Sequence, residues 1–389
     1  MIREKILGGY SIYPHACLEC RIKFCREVCP IYTQTRNENH GSHGFNMLAL
    51  SIYKGLETIS EDLVQTLTHC TTCGACQYRC PNTLFGGDFY NITTPTPDIV
   101  ETMREDLINM GYENTVHKKL LNNWQAFLNP YGEPTEKRSQ WIPSEYKDKL
   151  PERASYIYFA GCTAALRLPE IAISTVKILD YLGLDFTIIK EEPCCGSVLL
   201  RTGYRKQAKE LARENIEKFK ELGAEKIITS CGGCYRTFKV DYPKLVGDIG
   251  VEIVHTSELL AELPKAKEVK KLTGKVTYHD PCHIGRALGL FEPPRRVIKN
   301  LGLDLVEMDH TKDDARCCGA GGGVRSALPE LSIKIAKTRL QEAEQTGAES
   351  LISTCPFCKR NLKDAAKELK SKIEVLDLTE IFTRALPPR

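Results

Sequence analysis

Cys317-Cys318-Gly319-Ala320-Gly321-Gly322-Gly323 lies inside a longer stretch, Cys282 to Cys358, whose spacing decides how the chain is read. That stretch holds a lone Cys282, the adjacent pair, and a closing Cys355-Pro356-Phe357-Cys358. The same layout occurs earlier as Cys162, Cys194-Cys195 and Cys231-Gly232-Gly233-Cys234, with equivalent cysteines 120 to 124 residues apart. This is an internal duplication. Each copy carries one more thiolate than a tetrahedral zinc or a cubane iron–sulfur cluster uses. An enlarged or otherwise unusual iron–sulfur cluster is therefore expected in each copy.

Around these cysteines the hydrophobic pattern alternates between short strands and helices. Strands are expected at Ser155–Ala160, Asp185–Ile189, Lys226–Thr229, Lys275–Tyr278, Asp304–Met308 and Ser350–Ser353. Helices are expected at Leu168–Leu182, Tyr204–Leu222, Pro294–Leu301 and Ser326–Ala343. Such alternation implies parallel sheets, and so an α/β fold for both cysteine-rich repeats. Cys162, Cys231, Cys282 and Cys355 then fall just after strands, at the carboxyl edge where open parallel sheets bind ligands. Cys231 and Cys355 also open predicted helices, whose first amides can donate to thiolate or sulfide.

Eight further cysteines precede the repeats. Cys17, Cys20, Cys25 and Cys29-Pro30 form one quartet, and Cys70, Cys73, Cys76 and Cys80-Pro81 form another. The second matches the bacterial ferredoxin run, and in two-cluster ferredoxins the last cysteine of each run serves the other cluster. By that rule one cubane takes Cys17, Cys20, Cys25 and Cys80; the other takes Cys70, Cys73, Cys76 and Cys29. The first run has two extra residues between Cys20 and Cys25, which its loop must absorb. Met47 to Leu67 reads as helix with Leu48, Ile52, Leu56 and Ile59 on one face. We read 1–90 as a mostly helical two-[4Fe–4S] ferredoxin-like domain and 91–153 as a helical segment and linker. The two cysteine-rich domains follow at 154–264 and 265–389. The Pro-rich connector at 129–153 carries Trp141, and Trp124 just before it; these aromatics read as packing anchors.

The composition is that of an ordinary globular chain, 42% hydrophobic and 26% charged. No apolar run is long enough to span a bilayer, and Met1-Ile-Arg-Glu-Lys lacks the apolar core of an export signal. The expected location is the cytoplasm, or the periphery of the cytoplasmic membrane face, with membrane contact only through a partner. The formal net charge of +3 ignores metal-bound thiolates, and basic residues are interleaved with acidic ones, as in Glu210–Lys220. Nucleic-acid binding is not expected. All 18 cysteines fall into the two quartets and two quintets, which favours metal over disulfides in a reducing compartment.

The spacings C-x31-CC-x35-C-x2-C and C-x34-CC-x36-C-x2-C resemble the paired CCG-type cysteine-rich domains of heterodisulfide reductase. Cys317–Gly323, His279-Asp280-Pro281-Cys282-His283 and the connector with Asn129-Pro130-Tyr131-Gly132 ahead of Arg138 and Trp141 are similar to that family's local signatures. A two-cluster ferredoxin unit fused in front resembles the D-type subunit of methanogens. The resemblance implies two [4Fe–4S] cubanes and two noncubane [4Fe–4S] clusters, one for each CCG motif, facing each other across a pocket. It makes the ten repeat cysteines catalytic residues as well as ligands. It implies a small mixed disulfide as substrate, of the coenzyme M–coenzyme B kind, in an anaerobic methanogenic complex. With no flavin or nicotinamide site evident, electrons are expected from a partner: a flavoprotein, a hydrogenase-type protein or a membrane cytochrome b subunit. Disulfide reduction needs two electrons whereas iron–sulfur clusters pass them singly, which gives two facing clusters a physical rationale.

His279 and His283 flank Cys282 and are candidate proton donors; the preferred reading is that they orient the cluster loop. Gly319, Gly321 and Gly322, with Gly196 in the first copy, are read as cofactor-binding positions where backbone approaches a cluster without a Cβ. Gly319-x-Gly321-x-x-Val324 lacks the third glycine of a dinucleotide loop and follows no strand. A rival reading of the same layout, shared by relatives, is a non-catalytic relay. It would link an anaerobic flavin dehydrogenase (glycerol-3-phosphate, lactate, glycolate or succinate) or a sulfite-reduction membrane complex with a quinone-type carrier. A structural zinc scaffold is the third reading. Metal analysis of anaerobically purified protein separates it from the others: iron with acid-labile sulfide is expected, and zinc without sulfide would remove both redox readings.

Overall fold

The computed structural model describes residues 12–80, 93–147, 149–262 and 269–387. Pro81 and the expected domain boundaries at 90/91 and 264/265 lie outside the described residues. Two parallel four-stranded sheets form the framework. In the first, β1 (Tyr156–Phe159), β2 (Phe186–Ile188), β3 (Lys226–Thr229) and β4 (Glu252–His255) run in the order β2-β1-β3-β4. In the second, β5 (Lys275–Tyr278), β6 (Asp304–Leu305), β7 (Ser350–Ser353) and β8 (Glu374–Asp377) repeat that order as β6-β5-β7-β8. All six pairings are parallel, with Ile157 opposite Ile227 and Thr277 opposite Leu351. The central strands are apolar runs because helices cover both faces, and Ile157, Tyr158 and Phe159 are all fully buried.

The residues condense into two compact units that are not contiguous in sequence. One takes the described residues up to Leu121 together with Val198–Arg205 and His310–Arg339; the other takes Asn122–Ser197, Lys206–Asp309 and Leu340 onward. The second unit contains both sheets. Its cores are built around Tyr158, Ile171, Val176, Leu179 and Ile228 for the first sheet, and Tyr278, Val297, Leu301 and Ile352 for the second. The expected packing role of Trp141 is met here: its ring stands edge-on to Tyr158, centroids 6.0 Å apart.

Several elements differ from the sequence expectation. The helix expected over Met47–Leu67 is two, Ser42–Lys54 and Glu61–Thr68, because Gly55 ends the first in a left-handed turn (φ 71°). Leu56 consequently leaves the apolar face and is exposed. The helix expected over Ser326–Ala343 is interrupted at Leu328, since Pro329 starts a new helix, Pro329–Gln345. The strand expected over Asp304–Met308 shrinks to two residues. Strands β4 and β8 carried no signal in the sequence reading. They are four-residue edge strands whose helices begin at once, each through a capping box with Glu258 or Glu380.

The first unit is helical apart from its loops. Phe45, Ala49, Leu63, Val64, Leu67, Ile99, Val100 and Met103 form its core, drawn from Ser42–Lys54, Glu61–Thr68 and Thr96–Asn109. Beside that core, the guanidinium of the fully buried Arg104 donates to four backbone carbonyls. These are Leu67, Cys70 (2.9 Å), Arg201 and Gly322 (3.0 Å). The glycine run explains how the chain fits so closely. A Cβ on Gly322 would stand 2.1 Å from the Cys70 carbonyl oxygen, and one on Gly321 would stand 2.5 Å from that of Thr71. Gly322 also sits at φ 63°.

Gly322→Ala and Gly183→Ala place the same strain in the left-handed region, but only the former drives a Cβ into backbone; Gly183 faces open space. We expect about 1 kcal/mol lost for Gly183→Ala and at least about 3 kcal/mol for Gly322→Ala. Denaturant unfolding of the anaerobically purified variants checks this, and equal midpoints would contradict the packing.

Candidate metal centres

The N-terminal cysteines gather into two groups. Burial is the main cause that pushes the Cys17 thiol to about 12, and the thiols of Cys25, Cys80 and Cys20 add to it. Cys25 begins helix Cys25–Val28 and groups with Cys20 and Cys80, so the longer spacing of the first run does not carry it away. A cavity of 740 Å³ is lined by Cys17, Cys20, Cys25 and Cys80 with His43 and Asn46. Cys70, Cys76, Cys73 and Cys29 form the other group. Burial, with the neighbouring thiols adding to it, pushes Cys70 to about 12 and Cys29 to about 11. These are the two sets that the crossed ferredoxin pattern groups together.

The first quintet lies wholly in the sheet-bearing unit. Cys162 follows β1 in the helix Gly161–Arg167, the Cys194-Cys195 pair follows β2, and Cys231 caps the helix Gly232–Arg236 directly after β3. The thiols interact in series: Cys162 with Cys194, Cys194 with Cys195, Cys195 with Cys234, and Cys234 with Cys231. Cys194 and burial push Cys162 up, whereas hydrogen bonds from Cys194 and Cys234 draw Cys195 down to about 6. Five neutral thiols packed together gain little; the arrangement needs a cationic group to take up thiolates. The backbone is disposed for such a group. Gly196 N–H points at Cys194 Sγ (3.4 Å), and a Cβ on Gly161 would stand 3.0 Å from Cys234 Sγ. The donor set and its surroundings fit an iron–sulfur cluster.

Of the second quintet, Cys282, Cys355 and Cys358 belong to the sheet-bearing unit, and Cys317 and Cys318 to the helical one. Cys355 caps the helix Pro356–Leu369 after β7, and Gly319 N–H points at Cys317 Sγ (3.3 Å). Within the helical unit Cys317 Sγ is also 3.8 Å from Thr71 Oγ1, next to Cys70. Within the sheet-bearing unit the Cys231 thiol meets that of Cys355, so the two motifs abut. Gly232 packs on Ile284, Cys355 and Pro281, and Gly233 lies beside His283. His279 is buried with a ring nitrogen within 4.8 Å of Cys358 Sγ.

The glycines read as cofactor positions have protein neighbours: Gly196 packs on Leu211 and Ala208, Gly319 on Ser332 and Ile335, and Gly321 and Gly322 on Cys70 and Thr71. Other residues escaped the sequence reading. Tyr158 and Tyr278 each stand four residues before a first cysteine, and each hydroxyl meets the residue preceding a later one. Tyr158 Oη is 3.0 Å from Ser230 Oγ, and Tyr278 Oη is 2.8 Å from Thr354 Oγ1. The repeat alignment contained that signal. Arg104 gave none, because its partners are all backbone carbonyls.

Comparison with known proteins agrees with this layout. The cysteine-rich domain family matches residues 156–239 and 276–363, and the 4Fe-4S dicluster domain family matches residues 14–84. The D subunit of dihydromethanophenazine:CoB–CoM heterodisulfide reductase from Methanosarcina acetivorans is 39% identical over 84% of this chain and 79% of its own. Its namesake from Methanosarcina barkeri is 38% identical over 95% of this chain and 93% of its own. A crystal structure of a hypothetical Helicobacter pylori protein shares the fold, with TM-score 0.61 at 14% identity over 100% of this chain and 77% of that one. Among the described residues no helix is long and apolar enough to cross a membrane. Two CCG repeats behind a dicluster domain, at this identity and coverage, place the chain in the family of heterodisulfide reductase D-type subunits, which are iron–sulfur oxidoreductases.

Proposed function

We propose that this chain is the catalytic iron–sulfur subunit of a heterodisulfide reductase-type complex. It would reduce a small mixed disulfide to two thiols, RS–SR′ + 2e⁻ + 2H⁺ → RSH + R′SH. The relatives' names supply the substrate class, the disulfide of coenzymes M and B, and a methanogenic setting. The observation that carries the reading is the meeting of Cys231 and Cys355, which joins the two motifs side by side. A two-electron bond cleavage fed by one-electron centres needs two of them together. Cys231 and Cys282 are partly exposed whereas the other eight repeat cysteines are buried, so the junction of the motifs is where a disulfide would enter.

In this reading Cys162, Cys194, Cys195, Cys231 and Cys234 hold one noncubane cluster, and Cys282, Cys317, Cys318, Cys355 and Cys358 hold the other. Cys17, Cys20, Cys25 and Cys80, and Cys70, Cys73, Cys76 and Cys29, hold the cubanes. The clusters supply single electrons when bound. The chain's own part is to exclude water from the buried thiols, orient the loops through Tyr158 and Tyr278, and keep His283 beside the junction. An electron-donating partner subunit completes the path, with any membrane contact made through that partner.

Oxidation of the anaerobic protein in the presence of coenzyme M, followed by electron paramagnetic resonance, tests the reading. A thiol-dependent cluster signal is the expected result; four loaded clusters without one would favour the relay. Cys318→Ser should lower disulfide reduction at least 100-fold and leave the cubane signals intact, and retained turnover would contradict the site.

A further inference from the structure

Arg138 comes from the connector ahead of the first sheet, yet it is one of the largest fully buried side chains of the chain. Its Nε donates to the Glu192 carbonyl (2.9 Å), and its Nη2 to the Glu192 carboxylate and the Pro193 carbonyl (3.4 Å). Glu192 in turn accepts the amides of Ala160 (2.7 Å) and Gly161 (2.9 Å). The pair therefore grips the segments that immediately precede Cys162 and Cys194. Burial favours the neutral form of Glu192, but Arg138 and the two amides act against it. The net direction is upward, while Arg138, Ala160 and Gly161 all address its oxygens as acceptors.

One edge of the guanidinium remains. Nη1 is buried and, among the described residues, has no partner at hydrogen-bond distance, while the guanidinium as a whole interacts with the Cys162 thiol. An orphaned charged donor is costly, and native structures retain one where something absent from the bare chain accepts it. Burial works against the charge, yet Cys162, Glu192 and Cys194 together push the guanidinium further up, which puts both sulfurs within its field. In the second repeat the residue matching Glu192 is Ala315, and the buried Arg295 is bonded to two carboxylates, Asp280 and Glu307.

We infer that Arg138 is a positioning residue of the first centre: its Nη1 faces the sulfur cage built on Cys162 and Cys194, and its charge makes that centre easier to reduce than it would otherwise be. Adding an electron adds negative charge to the thiolate–sulfide group. A fixed cation and a hydrogen bond to sulfur favour the reduced state, and the protein controls iron–sulfur potentials through these two terms. The inference rests on the proposed iron–sulfur occupancy of the first quintet.

The test is a potentiometric titration of the full-length, anaerobically loaded chain, followed by electron paramagnetic resonance. The signal lost in Cys195→Ser identifies the first centre. Arg138→Gln should lower the midpoint of that signal by at least a tenfold change in the reduction equilibrium, about 59 mV for one electron. Glu192→Gln, which leaves the cation uncompensated, should raise it, and the cubane midpoints should stay in place. Unshifted midpoints, or shifts of the same sign in both variants, would overturn the assignment. If Arg138→Gln does not retain iron, Glu192→Gln decides: a rise supports the assignment and no rise refutes it. Iron and sulfide analysis of the unsubstituted chain separates the two levels. Absence of sulfide there defeats the occupancy itself, whereas a loaded chain with immovable midpoints defeats only the role of Arg138.

Discussion

Close packing of thiols in a low-dielectric interior is the constraint on which the molecule rests. A sulfur donor must lose its proton to bind metal, and burial beside other sulfurs opposes that loss. Cys162, Cys231 and Cys234 are all pushed well upward in the bare chain for this reason, and the quartet cysteines Cys17, Cys70 and Cys29 follow the same rule. Two buried guanidinium groups offset part of the cost, Arg138 beside Cys162 and Arg104 beside Cys70. Amides at glycine turns, such as Gly196 and Gly319, add to this, and in the proposed reading the inorganic group would supply the rest. In that reading folding and cofactor loading would be coupled.

Much of this is legible in the order of residues alone. The alternation of strands and helices, the position of Cys231 and Cys355 at the ends of β3 and β7, and the grouping of the ferredoxin cysteines follow from hydrophobic period and cysteine spacing. Other features required three dimensions. Strands β4 and β8 have four residues each and flow directly into helices, so nothing in the local pattern bounds them. The division of the second quintet between units is equally silent in sequence. It arises because the segment from His310 to Arg339 packs with helices distant in sequence, through the Arg79–Asp314 ion pair, the Gln34–Thr338 hydrogen bond and the Gly322 carbonyl, pairings between positions too far apart for local pattern to connect. The glycines illustrate the limit best. Their need for close approach was readable, but what approaches Gly322 is the Cys70 carbonyl.

The two repeats keep the same scaffold and diverge in charge. Tyr158 and Tyr278 occupy matching places and bond the residue before a cysteine, and the capping boxes after β4 and β8 match in the same way. Electrostatics follows another rule: His255 ends β4 where Asp377 ends β8, and the carboxylate that serves Arg138 in the first copy has no counterpart in the second. Geometry was retained through the duplication while the fields around the sulfurs drifted apart. Two centres of one ancestry need not be electrically equal.

Arg104 joins carbonyls that are 255 residues apart in the chain, from Leu67 to Gly322. A polypeptide cut after Leu121 would therefore carry both ferredoxin runs and Arg104 but leave this guanidinium with half of its acceptors. The N-terminal portion is not a detachable cassette. Gene fission at the linker would produce two fragments that must find each other before either is whole, which makes the single-chain arrangement a kinetic safeguard during assembly.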